Sequence, residues 1–308
     1  MKLLSKYKRW VFAVFICLSL LIVYVLSQNP SRIPEDGRLV LSKTYTLDSD
    51  FILKEDASRN YAFKIEVDEI SIDLNGHKIK CEPRSGKDDT FGILGTARKK
   101  IQIKNGYLEG CVYGVHLSNS DSVTLENISF HSLGYLGINL GGNQNKILNS
   151  SFENFGGYRK KGYTVGINNP GNDCVIQNNT FKELYRQQGV SADVVGEGVG
   201  IIVSSGTNGC VISDNSFTNK HLKKPSSIGI WGALDTSINI ERNTLHNIGR
   251  GIVATDGSVA DNQLSLDLSK IKEIDDRVFL CAIWVAGNAT VKNNTIQSYP
   301  EIPNRCRN

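Results

Sequence analysis

Residues 114–130 read Gly-Val-His-Leu-Ser-Asn-Ser-Asp-Ser-Val-Thr-Leu-Glu-Asn-Ile-Ser-Phe, and the skeleton of this stretch recurs through most of the chain. It consists of a glycine followed at once by an aliphatic residue, a second aliphatic, an Asn two residues on, and a bulky apolar residue. Folding the sequence back on itself about every 22 to 36 residues aligns eight copies. The glycine column is Gly92, Gly114, Gly137, Gly166, Gly200, Gly229 and Gly251, with Ala282 in the last copy. The second aliphatic column is Ile103, Leu125, Ile147, Ile176, Ile212, Ile240, Val259 and Val291. The bulky column is Leu108, Phe130, Phe152, Phe181, Phe217, Leu245, Leu264 and Ile296. No single copy can bury its own apolar face, but stacked copies share one core.

Each copy alternates with period 2. Val123 and Leu125 fall on one face, Thr124 and Glu126 on the other, as in a strand. No segment sustains an apolar period of 3.6, which excludes a helical solenoid. Asn or Asp follows the second aliphatic column at Asn105, Asn127, Asn149, Asn178, Asp214, Asp261 and Asn293, with Arg242 as the exception. Such residues close turns by bonding nearby backbone and by tolerating left-handed dihedrals. A second Asn stands beside this column at Asn179, Asn215, Asn243, Asn262 and Asn294, placed for an amide ladder between coils. The glycine column suits a corner that needs an unusual dihedral or a close backbone approach. Three short strands and three turns per repeat predict an all-β fold, a right-handed parallel β-helix of about eight to nine coils. The stretch Ile72-Asp-Leu-Asn-Gly-His-Lys-Ile79 reads as a first coil slightly out of register. Residues 38–67 are expected to cap the rod, residues 68–300 to form it, and residues 301–308 to be a tail.

The N-terminus is of another kind. Lys2, Lys6, Lys8 and Arg9 precede a run from Trp10 to Leu26 that is apolar except for Ser19. A basic flank (1–9), a signal-anchor helix (10–27) and a linker (28–37) are predicted, with the N-terminus in the cytoplasm and the bulk on the periplasmic or extracellular side. Val25 and Ser27 are small enough for a cleavage site, so a removed secretory signal is the alternative. The chain has 35 basic and 31 acidic residues; without the four basic residues of the flank the rest is 31 against 31. A neutral remainder argues against a nucleic-acid partner. Six cysteines lie outside the apolar run, with no metal-ligand spacing among them, so no metal site is expected. Cys174 and Cys210 share one inward position in neighbouring coils, which suits either a disulfide or two small buried residues. A Cys281–Cys306 pair would staple the C-terminal end. No cofactor is indicated, and the scattered Asp and Glu residues leave calcium open without calling for it.

Length variation is concentrated at one junction. Long excursions follow Phe152, Phe181, Phe217 and Leu264, all between the bulky column and the next glycine, so they must gather on one edge. Insertions gathered on one face of a solenoid mark its binding face. Tyr158, Arg159, Lys160, Tyr185, Lys223 and Lys224 in these excursions are candidate substrate contacts. Their basic groups suit an acidic chain through charge-assisted bonds. Directly after the bulky column come Glu109, His131, Glu153 and Lys182, in four successive coils. Carboxylate, imidazole and amine at coil spacing are suited to proton transfer; a ladder of complementary surface charges is the other reading. Beyond the glycine-aliphatic pair, the outward positions run His116, Asn139, Asn168, Ile202, Trp231, Val253, Trp284. Outward Trp231 and Trp284 offer platforms for the apolar faces of sugar rings.

The Ile-Asp-Leu-Asn-Gly-His start, the recurring Gly-Ile pairs and the Asn-Asn-Thr/Ser-Phe phrases resemble the pectate-lyase-like right-handed β-helix superfamily over about residues 40–300. That resemblance implies a polysaccharide lyase, uronate epimerase or glycoside hydrolase, or a non-catalytic adhesin. The Asn-Thr-Asp, Gly-His-Gly and Arg-Ile-Lys set of polygalacturonases and the Asp-Pro-His motif of mannuronan epimerases are absent, so no family catalytic residue transfers to a position here. The expectation is an exported, membrane-anchored carbohydrate-active protein acting on an extracellular polysaccharide, with basic excursions suited to an acidic one. The alternative is a glycan-binding or structural surface protein. Elimination or epimerisation would draw its base and carboxylate neutraliser from His131, Lys182 and Arg186. Hydrolysis would use two carboxylates, for which Glu109 and Glu153 are the best pair.

Overall fold

The structure is a computed structural model. It describes residues 31–299 except 33, 41, 56, 83–88, 156–163, 185–197, 221–226 and 271–279. The segment expected to form the N-terminal helix and the C-terminal tail lie outside these residues. Among the described residues no helix is long and apolar enough to cross a membrane.

The strands are parallel and stack coil on coil. One sheet has ten strands, from Arg38–Leu39 and Tyr61–Ile65 through Phe91–Thr96 and Tyr113–Ser118 to Cys281–Val285. Among the described residues ten coils are therefore present, where about eight to nine are expected from the sequence. The additional winding is N-terminal. Residues 38–67, read from the sequence as a cap, themselves supply strands: Arg38–Leu39 pairs with Lys64–Ile65, and Thr44–Thr46 with Ser71–Asp73. Nine steps at about 4.8 Å make a rod on the order of 43 Å long. The remaining strands form a nineteen-stranded sheet that wraps the other two sides of the coil. In Gln102–Glu109 and Thr124–His131 one strand runs on around the Asn turn. In later coils it divides, as in Val175–Gln177 and Thr180–Leu184.

Inside, each column of the repeat is a stack. Ile103, Leu125, Ile147 and Ile176 are register partners in successive coils, all fully buried. Phe130, Phe152, Phe181 and Phe217 stack face to face with centroids 4.8, 4.6 and 4.5 Å apart. Each buried side chain contributes roughly 1.5–3 kcal/mol. The inner Asn column forms the expected amide ladder. Asn179, Asn215, Asn243 and Asn262 each donate a backbone N–H to the side-chain oxygen of the Asn one coil on, at 2.9–3.0 Å. The outer column from Asn105 to Asn293, Arg242 included, is left-handed throughout, with φ between 51° and 59°. Disulfides join Cys81 to Cys111 and Cys174 to Cys210 across adjacent coils. Cys281 is also disulfide-bonded, while Cys306 lies outside the described residues.

The four excursions share one corner. They leave after Ser151–Phe155, Thr180–Leu184, Ser216–Thr218 and Gln263–Ser265. They return at Thr164–Asn168, Gly198–Val203, Ser227–Gly232 and Cys281–Val285, all in the ten-stranded sheet.

Candidate functional site

Two lines of side chains flank this corner. The first closes the nineteen-stranded sheet. Glu109, His131, Glu153 and Lys182 are direct register partners in four successive coils, facing out because Leu108, Phe130, Phe152 and Phe181 face in. Their environments differ. Glu109 is bonded to Lys78 Nζ at 2.5 Å and lies 3.6 Å from Lys80 Nζ. The hydrogen bond from Lys78 holds this carboxyl below the usual carboxylate range. His131 has both ring nitrogens engaged, Nε2 with the Asn154 amide nitrogen at 3.1 Å and Nδ1 with Ser132 Oγ at 2.9 Å. With the amide as donor, Nε2 accepts and the proton of the neutral ring sits on Nδ1. Among the described residues, Glu153 and Lys182 form no side-chain hydrogen bond or ion pair. The Glu109 and Glu153 backbones stand two strand spacings apart, about 9–10 Å.

Sequence reading passed over the next position in these coils. Glu183 follows Lys182 at φ 57°, where neighbouring coils carry Asn154 and Asn219. Its side chain is buried at 7 % exposure. Oε1 accepts the Lys220 N–H at 3.0 Å, and Oε2 has no hydrogen-bond partner among the described residues. Thr164 Oγ1, at the start of the next sheet strand, is the other buried side-chain oxygen without a partner among the described residues. The signal in the sequence was a Glu where its coil neighbours carry Asn.

The second line runs down the outside of the ten-stranded sheet: His116, Asn139, Asn168, Ile202, Trp231, Val253 and Trp284 are consecutive register partners. Trp231 and Trp284 stand two coils apart and keep 41 % and 38 % of their surface exposed. Between this line and the corner lies a parallel outward column, Phe91, Tyr113, Leu136, Val165, Val199 and Ile228, most of it buried. Tyr158, Arg159, Lys160, Tyr185, Arg186, Lys223 and Lys224 lie outside the described residues. No group of three His, Cys, Asp or Glu side chains converges as metal ligands among the described residues.

A family model described as "Right handed beta helix region" matches residues 91–296. Among solved structures, the chain is similar to an alginate lyase from Paenibacillus sp. str. FPU-7, at 16 % identity and TM-score 0.53, over 80 % of this chain and 88 % of that one. It is also similar to a DFA-IIIase from Arthrobacter chlorophenolicus A6 without its lid, at 12 % identity and TM-score 0.55. That match covers 80 % of this chain and 64 % of the DFA-IIIase chain, so the chain spans less than two thirds of that enzyme. No curated protein sequence matches the chain.

Proposed function

Because the chain belongs to the right-handed β-helix family, we propose that it is a carbohydrate-active β-helix protein, exported and membrane-anchored, that acts on an extracellular polysaccharide. The observation that carries this reading is the pair of exposed tryptophans, Trp231 and Trp284, on a sheet face beside the corner from which all four excursions leave. Exposed aromatic faces at coil spacing suit a run of sugar rings. The fold shared with an alginate lyase and a DFA-IIIase agrees with it at the level of scaffold. The apolar run 10–26 supplies the anchor. The disulfides agree with an oxidising compartment outside the cytoplasm.

Within this reading the carboxylate open to substrate is Glu153, free of described partners; Glu183 is buried, and Glu109 is committed to Lys78 and Lys80. Lys182, exposed and unpaired among the described residues, is the cation that would neutralise a substrate carboxylate in elimination or epimerisation. His131 serves only if a substrate displaces Asn154 from Nε2. The test is incubation of the protein with acidic and neutral polysaccharides, following ultraviolet absorbance for elimination and reducing ends for hydrolysis. Activity on at least one polymer, reduced at least a hundredfold by Glu153→Gln or Lys182→Ala, is expected. Polymer binding with no new ends of either kind and no exchange of the uronate C5 proton with solvent deuterium would leave the glycan-binding surface protein as the function.

A further inference from the structure

The line on the ten-stranded sheet holds a polar group that the proposed chemistry does not use. Asn168 Nδ2 donates to Asn139 Oδ1 at 2.6 Å, and Asn139 Nδ2 stands 3.3 Å from His116 Nδ1. The first bond settles the second. An amide whose oxygen is taken by Asn168 offers its nitrogen, a donor, to the imidazole. Nδ1 of His116 is thus the acceptor, and the proton of the neutral ring is on Nε2. Three coils therefore form one directed chain, Asn168 to Asn139 to His116, ending in an N–H that has no hydrogen-bond partner among the described residues. The ring is held from the side by Phe91 and Tyr113, each with its centroid 5.4 Å away and meeting it edge to face. All three polar residues are half-exposed.

We infer that His116, Asn139 and Asn168 form a binding subsite for an uncharged, hydroxyl-bearing sugar unit, with His116 Nε2–H donating to a sugar oxygen and the two amides pairing with neighbouring hydroxyls. The inference deepens the polysaccharide reading above and rests on it. Several observations select a neutral ligand. Burial holds the imidazole below its usual range, against a smaller opposing effect of Asp89, so the ring is uncharged near neutral pH. Among the described residues the charge that acts on the ring is the carboxylate of Asp89, within 3.5 Å of the Tyr113 hydroxyl, and it opposes an anion. Lys64, two strands away in the same column, is paired with Glu66 at 3.0 Å. Amides and a neutral imidazole, each with capacity both to donate and to accept across the set, match vicinal hydroxyls better than a carboxylate. The same line continues over Ile202 to Trp231, four coils or roughly 19 Å from His116, so one extended glycan lying along the rod meets a polar end and an apolar end.

The test uses the full-length protein on an array of neutral and uronate-containing oligosaccharides, with His116→Ala, His116→Gln and Asn139→Ala beside wild type. Wild type is expected to bind glycans that carry at least one uncharged unit. His116→Ala and Asn139→Ala should weaken that binding about five- to tenfold, the size of one or two net hydrogen bonds. His116→Gln, which keeps a donor, should recover part of it. Nitrogen-15 shifts of the imidazole should show the Nε2–H form in wild type and a mixture of tautomers in Asn139→Ala, a readout that a loss of packing alone would not give. Binding or turnover that is unchanged in His116→Ala and Asn139→Ala, or wild-type binding confined to fully anionic glycans, overturns the subsite and leaves the polysaccharide function standing. A wild type that neither binds nor processes any glycan overturns both.

Discussion

A single missing methyl explains the glycine column. None of the glycines after which the ten-stranded sheet turns inward is left-handed; the positive-φ glycines lie elsewhere. Of the two reasons the sequence allowed, the structure selects close approach. A Cβ on Gly200 would lie 2.4 Å from Phe217 Cε1 and 2.6 Å from the Gly229 carbonyl oxygen. Gly200→Ala should therefore cost about 1–3 kcal/mol by overpacking, read from a shifted midpoint in denaturant unfolding. An unchanged midpoint would remove this account of the column. Charge is local on the same scale. The folded-state pKa of Glu109 is depressed by Lys78, so its contribution is present above the ordinary carboxylate range and lost as pH falls through its lowered value. The stability difference between wild type and Glu109→Gln should accordingly be larger at pH 7 than at pH 3. A difference that grows on acidification would contradict the sign.

Strands and turns were the most legible elements, because each is specified by a column rather than by one residue. The inner Asn column shows why. Asn215 accepts from Asn179 through Oδ1 and donates through Nδ2 to the Ile176 and Ser213 carbonyls, each bond 2.9–3.0 Å long. One side chain thus satisfies three backbone groups around that turn, and the arrangement recurs coil after coil. Asn215→Ala should leave several groups unpaired at once and cost about 3 kcal/mol or more, measured by equilibrium unfolding. A loss below 1 kcal/mol would mean that water takes over the ladder. Arg242 shows that the turn geometry outlasts its usual residue: it holds φ at 55° while its guanidinium bonds both oxygens of Asp214 at 2.9 and 3.1 Å.

At the scale of the molecule, the rod couples each coil only to its neighbours, so covalent links between coils count. Cys174–Cys210 closes a loop of 36 residues in sequence. In the chain-entropy description such a bridge adds about 3–4 kcal/mol. The double variant Cys174→Ala/Cys210→Ala should melt well below wild type under oxidising conditions, and the two should melt at about the same temperature when both are reduced. Equal melting of the oxidised wild type and the variant would show the bridge to be energetically idle. Sequence alone determined the parallel coil, its inward columns, the amide ladder and the junction that carries most of the length variation. These follow from local periodicity, and translation along the rod repeats the same environment, so a pattern read once holds in every coil. Only the tertiary structure decided that residues 38–67 wind as coil, that Cys81 pairs with Cys111, that Glu183 is buried, and which way the His116 proton points. Each of those depends on what lies one coil above or below and on the direction of a hydrogen bond, and spacing along the chain encodes neither.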